Sequence, residues 1–197
     1  MDDTLIAAML ASTLRVSTPL ILCALAGMFS ERSGVVDIGL EGKMLFAAFA
    51  AGAAGAAYQS TALALGLGVL VAVALSWMHG LACVSHKGDQ VVSGVAINII
   101  AAGMTVVLGI AWFSQGGQTP PVGSDVRIQA LFPGLPEALN GIPLVGRIVG
   151  EGLLSHNAMV YLALALVPAC WWVLFRTRFG LRLRAVGENP QMVDAAG

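Results

Sequence analysis

The sequence predicts an all-α protein that crosses a membrane repeatedly, with about five transmembrane helices and a broken or re-entrant segment after the first. Three observations carry this. Of 197 residues, 57% are hydrophobic and 11% charged, and the mean hydropathy is +0.84; ordinary soluble domains carry roughly 25% charged residues. Met44 to Ser85 runs for 42 residues without an Asp, Glu, Lys or Arg. Arg176, Arg178, Arg182 and Arg184 follow directly on a long apolar run, and basic clusters just outside a span mark the cytoplasmic side. A net charge of -1 offers no basic excess for nucleic acid. The start, Met1-Asp2-Asp3, is acidic where a secretory signal would be basic.

In chain order, Leu5 to Phe29 is apolar except for Arg15 and a few hydroxyls. Val16 to Phe29 alone reaches only about 21 Å, short of a hydrocarbon core of about 30 Å. Either Arg15 snorkels to an interface, or the helix breaks and continues through the next segment. That segment, Glu31 to Gly42, holds acids and glycines between apolar stretches. It reads either as unwound backbone surrounded by protein or a water-filled path, or as a plain surface loop.

Met44 to Ser85 is about 63 Å long as one helix and must be two crossings. Tyr58-Gln59-Ser60-Thr61 is the natural hairpin between them. The first crossing is built from small residues (Ala47, Ala48, Ala51, Gly52, Gly55, Ala56), which let helices approach closely. Ser85 to Gln90 is a polar loop, and Val91 to Ser114 is one crossing of about 36 Å. Within it, Asn98 either hydrogen-bonds a neighbouring helix or lines a substrate path. Residues 115–156 hold five of the eight prolines and no long apolar run; they form an external loop, with room for one interfacial helix. Ala158 to Phe175 is the last span, kinked at Pro168. A basic loop follows, then a short helix with Asn189 as N-cap and Pro190 in its first turn. With Arg176 to Arg184 inside, Lys87, Lys43 and Arg32 are also inside and Arg127 and Arg147 outside, which agrees with the positive-inside rule.

Catalytic chemistry is absent from the pattern. Gly42-Lys43 lacks the first glycine and the Ser/Thr of a phosphate loop. His79, His86 and His156 match no metal spacing, so no metal site is predicted. Cys23, Cys83 and Cys170 sit in apolar runs as small hydrophobes.

Three stretches in order, Glu31 to Leu45 (ERSGVVDIGLEGKML), Gly88 to Asn98 (GDQVVSGVAIN) and Phe179 to Pro190 (FGLRLRAVGENP), resemble signature stretches of one family. It is the permease subunit of ABC importers for nucleosides and simple sugars, related to ribose and branched-chain amino-acid permeases. The resemblance covers nearly the whole chain. It implies a non-enzymatic transport subunit, multi-pass in a prokaryotic cytoplasmic (inner) membrane. The implied partners are ABC ATPase subunits, a second permease subunit (homo- or heterodimer), an external substrate-binding protein and membrane lipid. ATP and magnesium would be bound by the ATPase, leaving this chain no cofactor. Residues 176–197 would be the cytoplasmic coupling segment, with Gly187, Glu188, Asn189, Pro190, Gln191 and Asp194 docking to the ATPase.

Asp37, Glu41, Ser93 and Asn98 are the translocation-path candidates, with Arg15 and Arg32 as conceivable charge partners for the acids. Two departures stand out: Asp37 where many nucleoside-type members have Asn, and Lys43 where an apolar residue is usual. Residues 1–197 would be a single permease domain, incomplete at the C-terminus, since the chain stops inside the coupling element. Two alternatives remain: an ion-coupled carrier or channel using Asp37, Glu41 and Arg15, and a truncated fragment that does not transport.

Overall fold

The computed structural model describes residues 3–132 and 148–195. Among them the chain is helical without a strand; Ala130 and Asn157 form an isolated antiparallel bridge. Helix α1 runs unbroken over Asp3–Arg32, 30 residues or about 45 Å. Arg15 therefore does not break it. The hydroxyls explain how a polar-studded stretch stays helical in lipid: Ser12 donates to Ala8 O, Thr13 to Met9 O and Thr18 to Leu14 O. These three hydroxyls are satisfied within the helix and need no outside partner.

Helix α2 spans Leu40–Tyr58 and α3 spans Thr61–Gly80. The hairpin falls where the sequence placed it. Gln59 closes α2 in the left-handed region (φ 49), and the Ser60 hydroxyl accepts from Leu63 N at the start of α3. A π-helical turn, Leu81–Ser85, extends α3. The small residues pack as expected: a Cβ on Gly68 would lie 3.1 Å from the Ala51 side chain and 3.2 Å from Ala47 O. Helix α4, Gln90–Phe113, starts at Asp89, whose carboxylate accepts from Val91 N and Val92 N.

Helix α5 covers Ala158–Arg176, with Pro168 inside it. The basic stretch after it is not the expected loop but helix α6, Arg178–Glu188. Arg, Leu and Ala are good helix formers, and the turn between the helices needs a single residue. Thr177 is extended; its hydroxyl donates to Val173 O and accepts from Gly180 N, so it caps both helices. Helix α7, Pro190–Ala195, follows with Asn189 as its cap.

Among the described residues, four helices are long and apolar enough to cross a membrane: α1, α3 with its π turn, α4 and α5. α2, expected as a further crossing, is 19 residues or about 28 Å long. It is less apolar because Glu41 and Lys43 open it and Ala and Gly fill it. The expected interfacial helix within 115–156 falls partly on residues outside those described; residues 115–132 are irregular, and a short helical turn covers 148–154.

The chain divides into two compact units. One comprises residues 1–25 and 128–180, and the other residues 26–127 and 181–197. In the first, His156 Nε2 meets Ala11 O at 3.0 Å, Tyr161 donates to Leu153 O, and Phe132 stacks edge-on to Tyr161. The second holds the end of α1, helices α2 to α4 and most of α6 with α7, and all three signature stretches except Phe179 and Gly180.

Candidate functional site

The second unit is organised around an unwound segment, Ser33 to Gly39, between α1 and α2. Gly34 turns the chain out of α1 with φ +85, a conformation L side chains rarely adopt. Backbone unwound near a membrane span needs every polar group answered by protein, and α4 supplies the answers. Gln90 Oε1 accepts from Val36 N at 2.7 Å, and Gln90 Nε2 donates to Gly34 O at 3.4 Å. Asn98 Nδ2 donates to Ile38 O at 3.1 Å, while its Oδ1 accepts from Gly42 N at 2.7 Å. Such contact requires bare backbone: a Cβ on Gly94 would lie 2.9 Å from Gly39 N, and one on Gly42 only 2.7 Å from Asn98 Cα.

The open alternative for Asn98 thus resolves toward a hydrogen bond to a neighbouring segment. Asn98→Leu is expected to lower stability by about 1–3 kcal/mol, because it leaves the Gly42 N–H and Ile38 C=O without their partner. Thermal unfolding in detergent measures this, and a cysteine at Val36 should become more reactive in the same background.

A charged cluster locks the segment from the other side. Lys43 Nζ pairs with Asp37 Oδ2, and Asp37 Oδ1 accepts from Gly39 N at 3.1 Å and lies 3.7 Å from His79 Nε2. The Lys43, Asp37 and His79 side chains are 5%, 9% and 3% exposed. His79 Nε2 also faces Val36 O at 3.4 Å, and Nδ1 is 3.0 Å from Ser93 Oγ. Nε2 faces two acceptor oxygens and Nδ1 faces the Ser93 hydroxyl, which can donate to it. The lysine and aspartate cancel each other's charge, which is what burial demands.

Several expectations change here. Asp37 is paired with Lys43, not with Arg15 or Arg32. Lys43, counted among the charges on the cytoplasmic side, is buried. Ser93 serves His79, and Glu41 is exposed on the first turn of α2. Lys43, His79 and Gln90 are the residues that the sequence reading missed as part of this site. The one pointer was Lys43 itself, a charge where an apolar residue is usual. Among the described residues no group of His, Cys, Asp or Glu could hold a metal.

The third stretch meets the first at Gly187. A Cβ there would run into Arg32 O and lie 3.1 Å from Gly34 N. Glu188 is the last residue of α6, before the Asn189 cap of α7. Asn189 Oδ1 accepts from Gln191 N and Met192 N, both at 3.1 Å, and Pro190, Gln191 and Asp194 are exposed. A cavity of about 360 Å³ lies beside this contact, with Glu31, Arg32, Arg184 and Glu188 among its lining residues.

Long apolar helices around an unwound segment held by polar side chains define the class of polytopic membrane transport proteins. Within that class, the chain belongs to the branched-chain amino acid transport system / permease component family, whose model matches residues 9–197. It is 37% identical over 195 residues to the nucleoside ABC transporter permease protein NupC of Lactococcus lactis, covering 95% of this chain and 58% of that protein. It is 39% identical over 197 residues to the guanosine ABC transporter permease protein NupQ of Bacillus subtilis, covering 94% of this chain and 57% of that one. A Haloferax volcanii protein provisionally named glucose ABC transporter permease protein TsgC13 is 34% identical, over 97% of this chain and 55% of that protein. The chain thus spans little more than half the length of these relatives. No solved structure matches it significantly.

Proposed function

We propose that the chain forms part of the translocation path of an ATP-driven importer for nucleosides or simple sugars, and that residues 187–197 couple it to a separate ATPase subunit. One observation carries the coupling: Gly187 rests backbone to backbone on Arg32–Gly34, the entry to the unwound segment. A push on α7 and α6 would reach that segment directly. The segment is then held by discrete contacts (Lys43 on Asp37, Asn98 on Ile38 and Gly42, Gln90 on Val36) that can exist made or broken. Elements with two arrangements are what alternating access needs.

In this reading Asp37, Ser93 and Asn98 set the conformation of the path, while exposed Glu41 is free to face it. Substrate would come from an external binding protein, a second permease subunit would complete the path, and the ATPase would bind ATP and magnesium. Lipid surrounds the spans, and the setting is a prokaryotic cytoplasmic membrane. An ion-coupled carrier is a weaker reading, because Asp37, its best coupling charge, is already neutralised by Lys43. In this reading the unbroken α1 would carry the N-terminus to the side opposite Arg32, the outside.

The test uses the full-length permease. It should co-purify with its ATPase and binding protein, and nucleosides or sugars should stimulate ATP hydrolysis. A cysteine at Gln191 should crosslink to the ATPase. Cysteines at Lys87 and Arg182 should label from inside and one at Gln129 from outside. Outside labelling at Lys87 would overturn the orientation, and absence of any Gln191 crosslink in an active complex would remove the coupling role.

A further inference from the structure

In the first unit a cavity of about 220 Å³ lies among Arg15 of α1, Ile128, Ala130, Ser155, His156 and the start of α5. That is several times the ~30 Å³ that a water occupies in the liquid. His156 is 3% exposed, and its Nδ1 is the buried side-chain polar atom left without a hydrogen-bond partner among the described residues. Its other nitrogen, Nε2, lies 3.0 Å from Ala11 O. A carbonyl can only accept, so Nε2 carries the proton and Nδ1 of the neutral ring is a bare acceptor. Leaving such an atom dry and unpaired is costly.

The rest of the lining is electropositive. Arg15 is the charged residue that lines the cavity, and no carboxylate is recorded on it among the described residues. Asn157 caps α5, a 19-residue helix whose N-terminal end carries partial positive charge. An arginine within a membrane-spanning helix ordinarily has an anionic partner or water. The occupant must therefore carry negative charge for Arg15 and the helix end, and also donate a hydrogen to Nδ1. A carboxylate or sulfate has the charge without the hydrogen, and a neutral sugar hydroxyl has the hydrogen without the charge. Inorganic phosphate has both near neutral pH, because it keeps a P–OH even after its second ionisation, whereas a phosphomonoester, whose second ionisation lies near pH 6, has mostly lost its last one.

We propose that this cavity is a binding site for a singly protonated phosphate group, held by Arg15 and the start of α5 and sharing its proton with His156 Nδ1. The ligand is free inorganic phosphate; a phosphomonoester is mostly without its P–OH at neutral pH, and a lipid phosphodiester has no proton to share. Arg15 is the charged group facing His156 from α1, and no charged residue faces it from the 128–131 strip, the Ser155–Asn157 turn or the first turn of α5 among the described residues.

The experiment is equilibrium dialysis of radiolabelled inorganic phosphate against the full chain in nanodiscs, with sulfate, ribose and phosphatidylglycerol as competitors. Phosphate should bind at neutral pH, and sulfate should compete about tenfold less well or worse, because its oxygens face the Nδ1 lone pair. Arg15→Gln should weaken both ions about tenfold. His156→Gln keeps a donor for Ala11 O, so it should fold and melt as the wild type, yet lose the preference for phosphate. The proposal is overturned if phosphate does not bind, if sulfate or phosphatidylglycerol displaces it equally at neutral pH, or if ribose binds in its place and Arg15→Gln has no effect. None of these readouts involves the ATPase, so the outcome is independent of the transport reading.

Discussion

Replacing Lys43 with methionine is expected to destabilise the permease by about 3–5 kcal/mol, which is a large share of a typical domain's stability. Methionine fills most of the lysine's volume, so the loss does not come from packing. It comes from Asp37, whose carboxylate is 9% exposed and would keep only the Gly39 amide and the His79 ring 3.7 Å away. Two escapes are open to such an anion: it takes up a proton, or the unwound segment swings out to solvent. Either one releases the lock opposite the Asn98 clamp. The double variant Lys43→Met with Asp37→Leu should recover most of the lost stability, because a buried ion pair replaced as a pair costs little. Thermal unfolding of the four proteins in detergent forms the thermodynamic cycle. A single Lys43→Met that melts with the wild type would mean that the pair is solvated and not a lock. Asp37→Ala alone leaves the lysine buried and should be nearly as damaging, so impaired uptake in that variant reports first on the lock.

How far the sequence foretold this depends on whether the signal was local. The Tyr58 to Thr61 hairpin and the Asn189-Pro190 cap were legible because turn and cap chemistry is carried by the residues themselves. The long helices were legible from apolar length, while the glycines of 31–42 marked an interruption without deciding between unwound backbone and a surface loop. What stayed hidden was every feature set by a partner distant in sequence. Lys43 was counted only for the side of the membrane it marks, and only Asp37 and His79 across the segment explain its burial. His79 looked stranded in an apolar helix until Val36 O and Ser93 were found around it. The basic stretch was read as a loop because arginines outside a span predict side, not conformation. The Thr177 cap that starts α6 depends on a one-residue joint that no periodicity shows. Asn98 fell between these cases: its polarity marked it, but only the fold could choose between helix bonding and path lining.

Gly187→Val in the full-length permease should abolish coupling while leaving the spans in place. The Cβ of any residue at 187 would collide with Arg32 O and press on Gly34 N, and the facing Gly34 has its own missing Cβ 3.3 Å from Gly187 Cα. Both sides of this contact are backbone, so no side chain can rotate to make room. Valine must push α6 off the end of α1, at about 1–3 kcal/mol of strain or by parting the two altogether. Helices α2 to α5 do not share the contact, so insertion and accumulation should be unchanged. Under the coupling proposal, substrate-stimulated ATP hydrolysis should drop about tenfold or more, since each 1.36 kcal/mol is a factor of ten. Basal hydrolysis should remain. Gly66→Val is the matched control: it also puts valine into a helix, but a Cβ at Gly66 meets nothing within 4 Å. Glu188→Lys separates steric from electrostatic coupling, because Glu188 is exposed at the end of α6. It should weaken a Gln191 crosslink to the ATPase only if charge guides docking. If Gly187→Val transports with stimulated hydrolysis like the Gly66→Val control, α6 does not carry the stroke to the unwound segment, and force must enter this fold elsewhere.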